Sequence, residues 1–303
     1  MRGMLPLALA VGLALAGCGG SPAGAPGAVE FVETGVDPQA WARVPAGEFL
    51  FGQHEHVRRI EAPFEIMVTT VTNAQYADYL NEALAAGWVR LDGRQVVGYY
   101  PGDEYHGHKH EQEIPEGDWL HVDLDEPGLR LLFDGPAFSA RPGYENHPMV
   151  QVTWFGARAY CAFSGGRLPT ELEWERAARG DDNRPYPWGE RIERANANFY
   201  SSRDLIEKIL GGYGDTTPVG FYNGRTYAGY ATIDSPSPYG LYDMGGNVWQ
   251  WTGDVYENQH YRYMRGGSRA DYGYNLRVWM RNSAGPDYFS PSVGFRCVRP
   301  VGP

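Results

Sequence analysis

The sequence is defined first by what it has little of. Among 303 residues there are three cysteines, at positions 18, 161 and 297, so no more than one intrachain disulfide is available. No run of Lys or Arg occurs and the formal net charge is −11, which speaks against nucleic acid or anionic lipid headgroups as partners. No apolar stretch, Leu5 to Ala16 included, is long enough to span a bilayer as a helix. Long helical periodicity is scarce, which excludes a helix bundle. No internal repeat is visible, so one large or two small domains are expected. What the chain has in quantity is aromatic residues, at 14%, with 40 Gly and 22 Pro. Such a composition predicts short elements joined by many turns around an aromatic core.

The N-terminus reads as a targeting segment. Arg2 gives a positive start, and Leu5 to Ala16 is apolar but too short to cross a bilayer. Leu15-Ala16-Gly17-Cys18 follows and resembles the lipobox of bacterial lipoproteins; the alternative is an ordinary signal peptide with a chance cysteine. The expected organisation is a signal peptide over 1–17, lipidated Cys18 with a flexible tether over 18–40, and a domain over 41–303. Gly19 to Ala28 is rich in Gly, Ser, Pro and Ala, which bury no apolar surface, and folding begins near Val29 or Trp41. The lipid is then the only membrane anchor, the location is the cell envelope, and Gly19 favours the outer membrane. In that oxidising setting Cys161 and Cys297 form an even pair, read either as one long-range disulfide or as two buried thiols.

Three helices are predicted. Thr72 caps the first, with Gln75 as reciprocal partner, and Gly87 ends it. The second follows Thr153, carries Cys161 and stops at Gly165-Gly166. The third begins at Thr170 with Glu173 as partner and ends at Gly180. Phe49 to Phe51, Phe64 to Val71 and Phe295 to Val298 read as strands. The segment about 92–144 is acidic and rich in Gly and Pro, and is expected to be a surface insertion with a small hairpin.

Several phrases occur in one order along the chain. They are Val44-Pro45-Ala46-Gly47-Glu48-Phe49, His147-Pro148-Met149-Val150, Arg167-Leu168-Pro169-Thr170-Glu171 with Trp174-Glu175 and Ala177-Ala178-Arg179-Gly180, Gly246-Asn247-Val248-Trp249-Gln250-Trp251, Arg265-Gly266-Gly267-Ser268 and Gly294-Phe295-Arg296-Cys297. Together they resemble the formylglycine-generating enzyme (sulfatase-modifying factor) family over nearly the whole chain after the tether. The resemblance implies an α+β, C-type-lectin-like fold with little regular secondary structure. It also implies pairing of Cys161 with Cys297.

The family's active members carry two cysteines shortly after the RGGS phrase, whose thiolates bind Cu(I) for oxidation of a substrate cysteine to formylglycine. The matching positions here are Asp271 and Leu276. Neither supplies a soft sulfur ligand, so copper is not expected, and Ser268 is left as a polar group beside the cleft. The resemblance also implies calcium, held around Asn247, Val248 and Gln250 and around Asn198 and Phe199, with Asp215 near the second group. Gln250 stands where the family usually has Glu, which lowers the charge offered to a hard cation. His106, His108 and His110 alternate ahead of Glu111, either as metal ligands on one strand face or as a solvated loop. Most other motif residues read as helix caps and core.

Three functions fit. One is a binding or scaffold protein that takes a protein or small ligand at a C-terminal aromatic cleft, with Tyr272, Tyr274, Tyr288 and Phe289 as contacts. Another is a metal enzyme of different chemistry using the His-rich insertion. The third is an oxidoreductase with the family's own activity. Function lives in sites rather than in folds, so the cleft decides among them.

Overall fold

A computed structural model describes residues 29–202, 214–256 and 258–302. The signal peptide, Cys18 and the start of the tether lie outside the described residues. Residues 29–40, expected to belong to the tether, are part of the domain. The Thr34 side chain is buried and donates to Val219 O at 3.0 Å, while Asn146 and Asn223 donate to the carbonyls of Val32 and Thr34.

The elements in chain order are β1 (Trp41–Val44), β2 (Gly47–Phe51), β3 (His56–Ile60), β4 (Phe64–Met67), α1 (Asn73–Ala85), β5 (Val89–Asp92), β6 (Gln95–Tyr100), β7 (Gly117–Asp123), β8 (Leu131–Phe133) and β9 (Phe138–Ala140). Then come α2 (Trp154–Phe163), α3 (Glu171–Arg179), β10 (Thr226–Tyr227), β11 (Tyr230–Ala231), β12 (Trp249–Tyr256), β13 (Tyr261–Arg265), β14 (Arg281–Ala284), β15 (Val293–Phe295) and β16 (Val298–Pro300). The strands form small sheets. One has the order β1-β4-β16 and joins the two ends of the domain; another has the order β14-β13-β12-β15, with β15 parallel to β12.

The helix starts follow from their caps. Thr72 accepts from Gln75 N while Gln75 Oε1 accepts from Thr72 N, and Thr170 and Glu173 do the same for α3. These boxes satisfy amides that an isolated helix end leaves open. The RLPTE and EWE phrases then form an ionic frame. Arg167 pairs with both Glu173 oxygens at 2.6 and 2.7 Å. Buried Arg265 reaches Glu171 at 2.8 Å and also pairs with buried Glu175. Thus the most specific words in the sequence fasten α3 to β13.

The largest apolar cluster joins α1 and α2 to β12 and β15. Tyr76 stacks on Tyr160 at 5.7 Å and meets Phe295 edge-on. Cys161 and Cys297, both fully buried, form a disulfide with Cα atoms 5.4 Å apart. The insertion proves to be more than a surface loop. It supplies β6 and β7, which pair with β5 in one sheet, and the β8-β9 hairpin, and Val96, Val122, Leu131 and Phe138 enter the main cluster. Val96 and Val97 are adjacent and both buried, as are His121 and Val122, so no strict alternation marks these strands amid the Gly, Pro and acidic content. Among the described residues no helix is long and apolar enough to cross a membrane.

Candidate functional site

β13 runs into Gly266-Gly267-Ser268, where the chain must turn sharply. Both glycines have positive φ, 96° and 69°. At Gly267 a Cβ would lie 2.9 Å from both Asn275 O and a Leu276 methyl, so the turn has no room for a side chain. The turn buries Ser268 and brings Asp271 back over it. One oxygen of Asp271, Oδ2, accepts from Ser268 Oγ at 2.6 Å, Ser268 N at 3.0 Å and Trp249 Nε1 at 2.9 Å. A carboxylate that accepts three donors at one oxygen is fixed in place.

These residues floor a cleft of about 380 Å³ that draws on all four strands of the β14-β13-β12-β15 sheet. Asn282, Ser283, Tyr288 and Ser290 complete its polar side, and Met264 and Val293 its apolar side. Leu276 does not line it. Its side chain is fully buried with Tyr186, Ala197 and Phe199, because it covers the bare faces of Gly246 and Gly267. Of the expected aromatic contacts only Tyr288 lines the cleft. Tyr272 packs edge-on against Tyr200 at 4.9 Å, and Tyr274 lies under Arg277 at 4.6 Å. Among the described residues Ser268 has Asp271 as its partner, and no histidine or lysine is hydrogen-bonded to its hydroxyl.

The residues expected around calcium are drawn into the fold's own bonds. Gln250 Oε1 accepts from Trp174 Nε1 at 2.9 Å and from Arg296 Nε at 2.8 Å, and its Nε2 donates to Asp243 O. Asn247 Oδ1 accepts from Thr217 N and from Asn198 Nδ2. Phe199 O accepts from Ser202 N and Oγ. The carboxylate of Asp215 turns to Tyr144 and Arg130 at 2.6 and 3.0 Å. Val248 is a core residue. In this arrangement the Gln250, Asn247 and Phe199 oxygens accept hydrogen bonds from the fold itself.

The histidine trio is divided. His106 faces Glu111 and His260, the latter on the β12–β13 turn, while His108 stacks beside His106 at 5.9 Å and His110 stands in a positive-φ turn. His260 Nε2 lies 2.6 Å from Glu111 Oε1, and its Nδ1 lies 2.9 Å from Asp103 Oδ2. Arg262 and Tyr100 hold Asp103 in turn. Burial opposes the charge on His260, but the two carboxylates outweigh it and raise its pKa. Burial likewise works against the Glu111 carboxylate, and hydrogen bonds from the His106 and His108 amides and from His260 overcome it, lowering its pKa to about 2.

Residues 29–301 match the sulfatase-modifying factor enzyme 1-like domain. The chain belongs to that family. It is 32% identical over 299 residues to "Inactive C-alpha-formylglycine-generating enzyme 2" of Mus musculus, covering 88% of this chain and 87% of that protein. It is 30% identical over 298 residues to the formylglycine-generating enzyme of Streptomyces coelicolor, covering 84% and 88%. The structure of PvdO from Pseudomonas aeruginosa superposes with a TM-score of 0.54 at 23% identity, covering 86% of this chain and 94% of that one. That likeness establishes the fold, the C-type-lectin-like arrangement of the sulfatase-modifying factors.

Within this family member, Asp271 and Leu276 stand where the resemblance places thiols. Asp271 is bonded into the cleft floor and Leu276 lies in the core. Three residues that sequence reasoning missed complete the local chemistry. Trp249 reads as core, yet its indole N–H defines the Asp271 position. Asp103 and His260 are 157 residues apart in the chain, and no local spacing connects them. The one available signal was the alternation of His260 with Arg262 beyond the GN-x-W phrase.

Proposed function

We propose that this protein is a non-catalytic, ligand-binding member of the sulfatase-modifying factor family, tethered to the cell envelope through Cys18. The observation that carries the reading is the Asp271 carboxylate, which occupies the thiol position and uses one oxygen to lock Ser268 and Trp249. A hard, hydrogen-bonded oxygen cannot replace a pair of thiolates for Cu(I). The name "inactive" borne by the murine relative supports the same reading. The cleft offers a floor set by Asp271, Ser268 and Trp249, an apolar side at Met264 and Val293, hydroxyl and amide groups on its wall and exposed Tyr288 at its edge, the mixture through which small or peptide ligands are oriented.

Catalysis is tested with a cysteine-containing peptide of the sulfatase type, supplied with Cu(I) and oxygen. No aldehyde should form, and an aldehyde-reactive product made by the unaltered protein would restore the oxidoreductase reading. Binding is tested by a photoreactive side chain placed at Asn282. A discrete adduct should form in envelope extracts and be suppressed by Ser283→Trp, which fills the cleft. Indiscriminate labelling that Ser283→Trp leaves unchanged would count against a cleft ligand.

A further inference from the structure

We propose that His106, Glu111 and His260 bind one divalent first-row transition ion, with zinc as the reference ion. The site lies apart from the Ser268 cleft and uses different residues. Nδ1 or Nε2 of each histidine and a Glu111 oxygen all fall within 4.8 Å of one another. His106 Nδ1 and His260 Nε2 are 3.4 and 2.6 Å from the same oxygen, Oε1. Around a tetrahedral ion with bonds near 2.1 Å, neighbouring ligand atoms stand about 3.4 Å apart. One edge already has that length, and the other needs to open by less than about 1 Å.

The surroundings favour a metal over a loose polar loop. Asp103 accepts from His260 Nδ1, which fixes the tautomer that aims the Nε2 lone pair at Glu111. Carboxylate support of this kind is what orients metal-ligating histidines. Asp103 is itself held by Arg262 at 2.6 Å. Glu111 is fixed by the His106 amide, which donates to Oε1 at 2.8 Å, and by the His108 amide, which donates to Oε2 at 2.7 Å. His260 is placed by a backbone φ of 58°, uncommon for a residue with a side chain. A bound ion replaces the proton shared by His260 and Glu111 and leaves these supporting bonds intact.

Two imidazoles and one carboxylate suit zinc, iron or nickel rather than a hard cation such as calcium. The His260 and Glu111 side chains are closed to solvent on the protein side, at 5% and 0% exposure, whereas His106 is 50% exposed. That gradient leaves an open coordination position facing outward. Gln112 and Tyr261, the chain neighbours of Glu111 and His260, line a shallow hollow that shares Ala284 and Tyr288 with the Ser268 cleft.

The rival account is a protonated His260 clamped between Asp103 and Glu111, which pins the insertion to β13 without any metal. To separate the two, the full chain is stripped with a chelator and dialysed against Zn²⁺ or Co²⁺. Bound metal is counted by elemental analysis, and the visible absorption of Co²⁺ reports its ligand set. One ion per chain is expected, with the Co²⁺ spectrum of a nitrogen- and oxygen-ligated site. His106→Ala, which removes an exposed ligand and leaves the pin in place, should weaken binding at least about tenfold. Glu111→Gln should do the same, and His110→Ala and His54→Ala should bind as the parent does. Absence of stoichiometric metal in the parent would overturn the site and leave the protonated pin. So would undiminished binding in His106→Ala, or an equal loss in His110→Ala.

Discussion

His121 lies on β7 with its ring enclosed, against Gly98 on one side and α2 on the other, and its Nδ1 meets no partner. Burial pushes its pKa down to about 4, and burial does the same to His147, which touches Thr216. In the unfolded chain both titrate near 6.5. Between these values the unfolded state binds more protons than the folded one. Stability is therefore complete above about pH 6.5 and is lost as the pH falls towards about 4, by on the order of 3 kcal/mol for each histidine. Asp243, raised to about 6 by burial, and His260 act in the opposite sense, so the effect is read by difference: His121→Leu should lose less stability than the parent as the pH falls over that range. An unchanged slope in His121→Leu would show that the ring is not buried neutral. Nothing in the local sequence marks His121 as special, because its environment comes from α2 across the insertion sheet.

The elements differ in how much of them could be read beforehand. All three helices announce themselves through Thr72-Gln75, Thr153 and Thr170-Glu173, since a cap is a contact between near neighbours. The strands are less legible. β12 and β15 pair in parallel across some forty residues, and β16 returns to β4 from the far end of the chain; such pairings leave no local trace. The insertion misled for the same reason, as its Val96 and Val122 find their core only when β6 and β7 meet α2. The bond between Cys161 and Cys297 crosses these elements and links α2 to the junction between β15 and β16. It spans a sequence separation of 136 residues, and in the chain-entropy account a loop of that size contributes about 5 kcal/mol. Reduction, or Cys161→Ala with Cys297→Ala, should lower the urea midpoint accordingly. A midpoint unmoved by reduction, with both thiols shown to be free, would contradict that contribution.

On the scale of the whole molecule, the sulfatase-modifying factor frame is kept, and Asp271 and Leu276 stand at the two positions where the resemblance places thiols. The phrases that gave the family away, RLPTE, EWE and GFRC, turn out to hold α3, β13 and the Gln250–Arg296 contact; they report the frame and not the chemistry. The chemistry was legible only as a substitution at Asp271 and Leu276, and the structure adds what each now does. Asp271 closes the cleft floor with Ser268 and Trp249, and Leu276 fills the space over two glycines. The most direct test of this account is a competitive Cu(I) chelator titration of the unaltered protein, under conditions that reduce copper but spare the Cys161–Cys297 bond. With that bond intact, Cys18 is the one remaining cysteine of the sequence and no thiol pair can form, so the account predicts no tight stoichiometric Cu(I) binding. Saturable binding of one Cu(I) per chain, lost on altering Ser268 or Asp271, would contradict it.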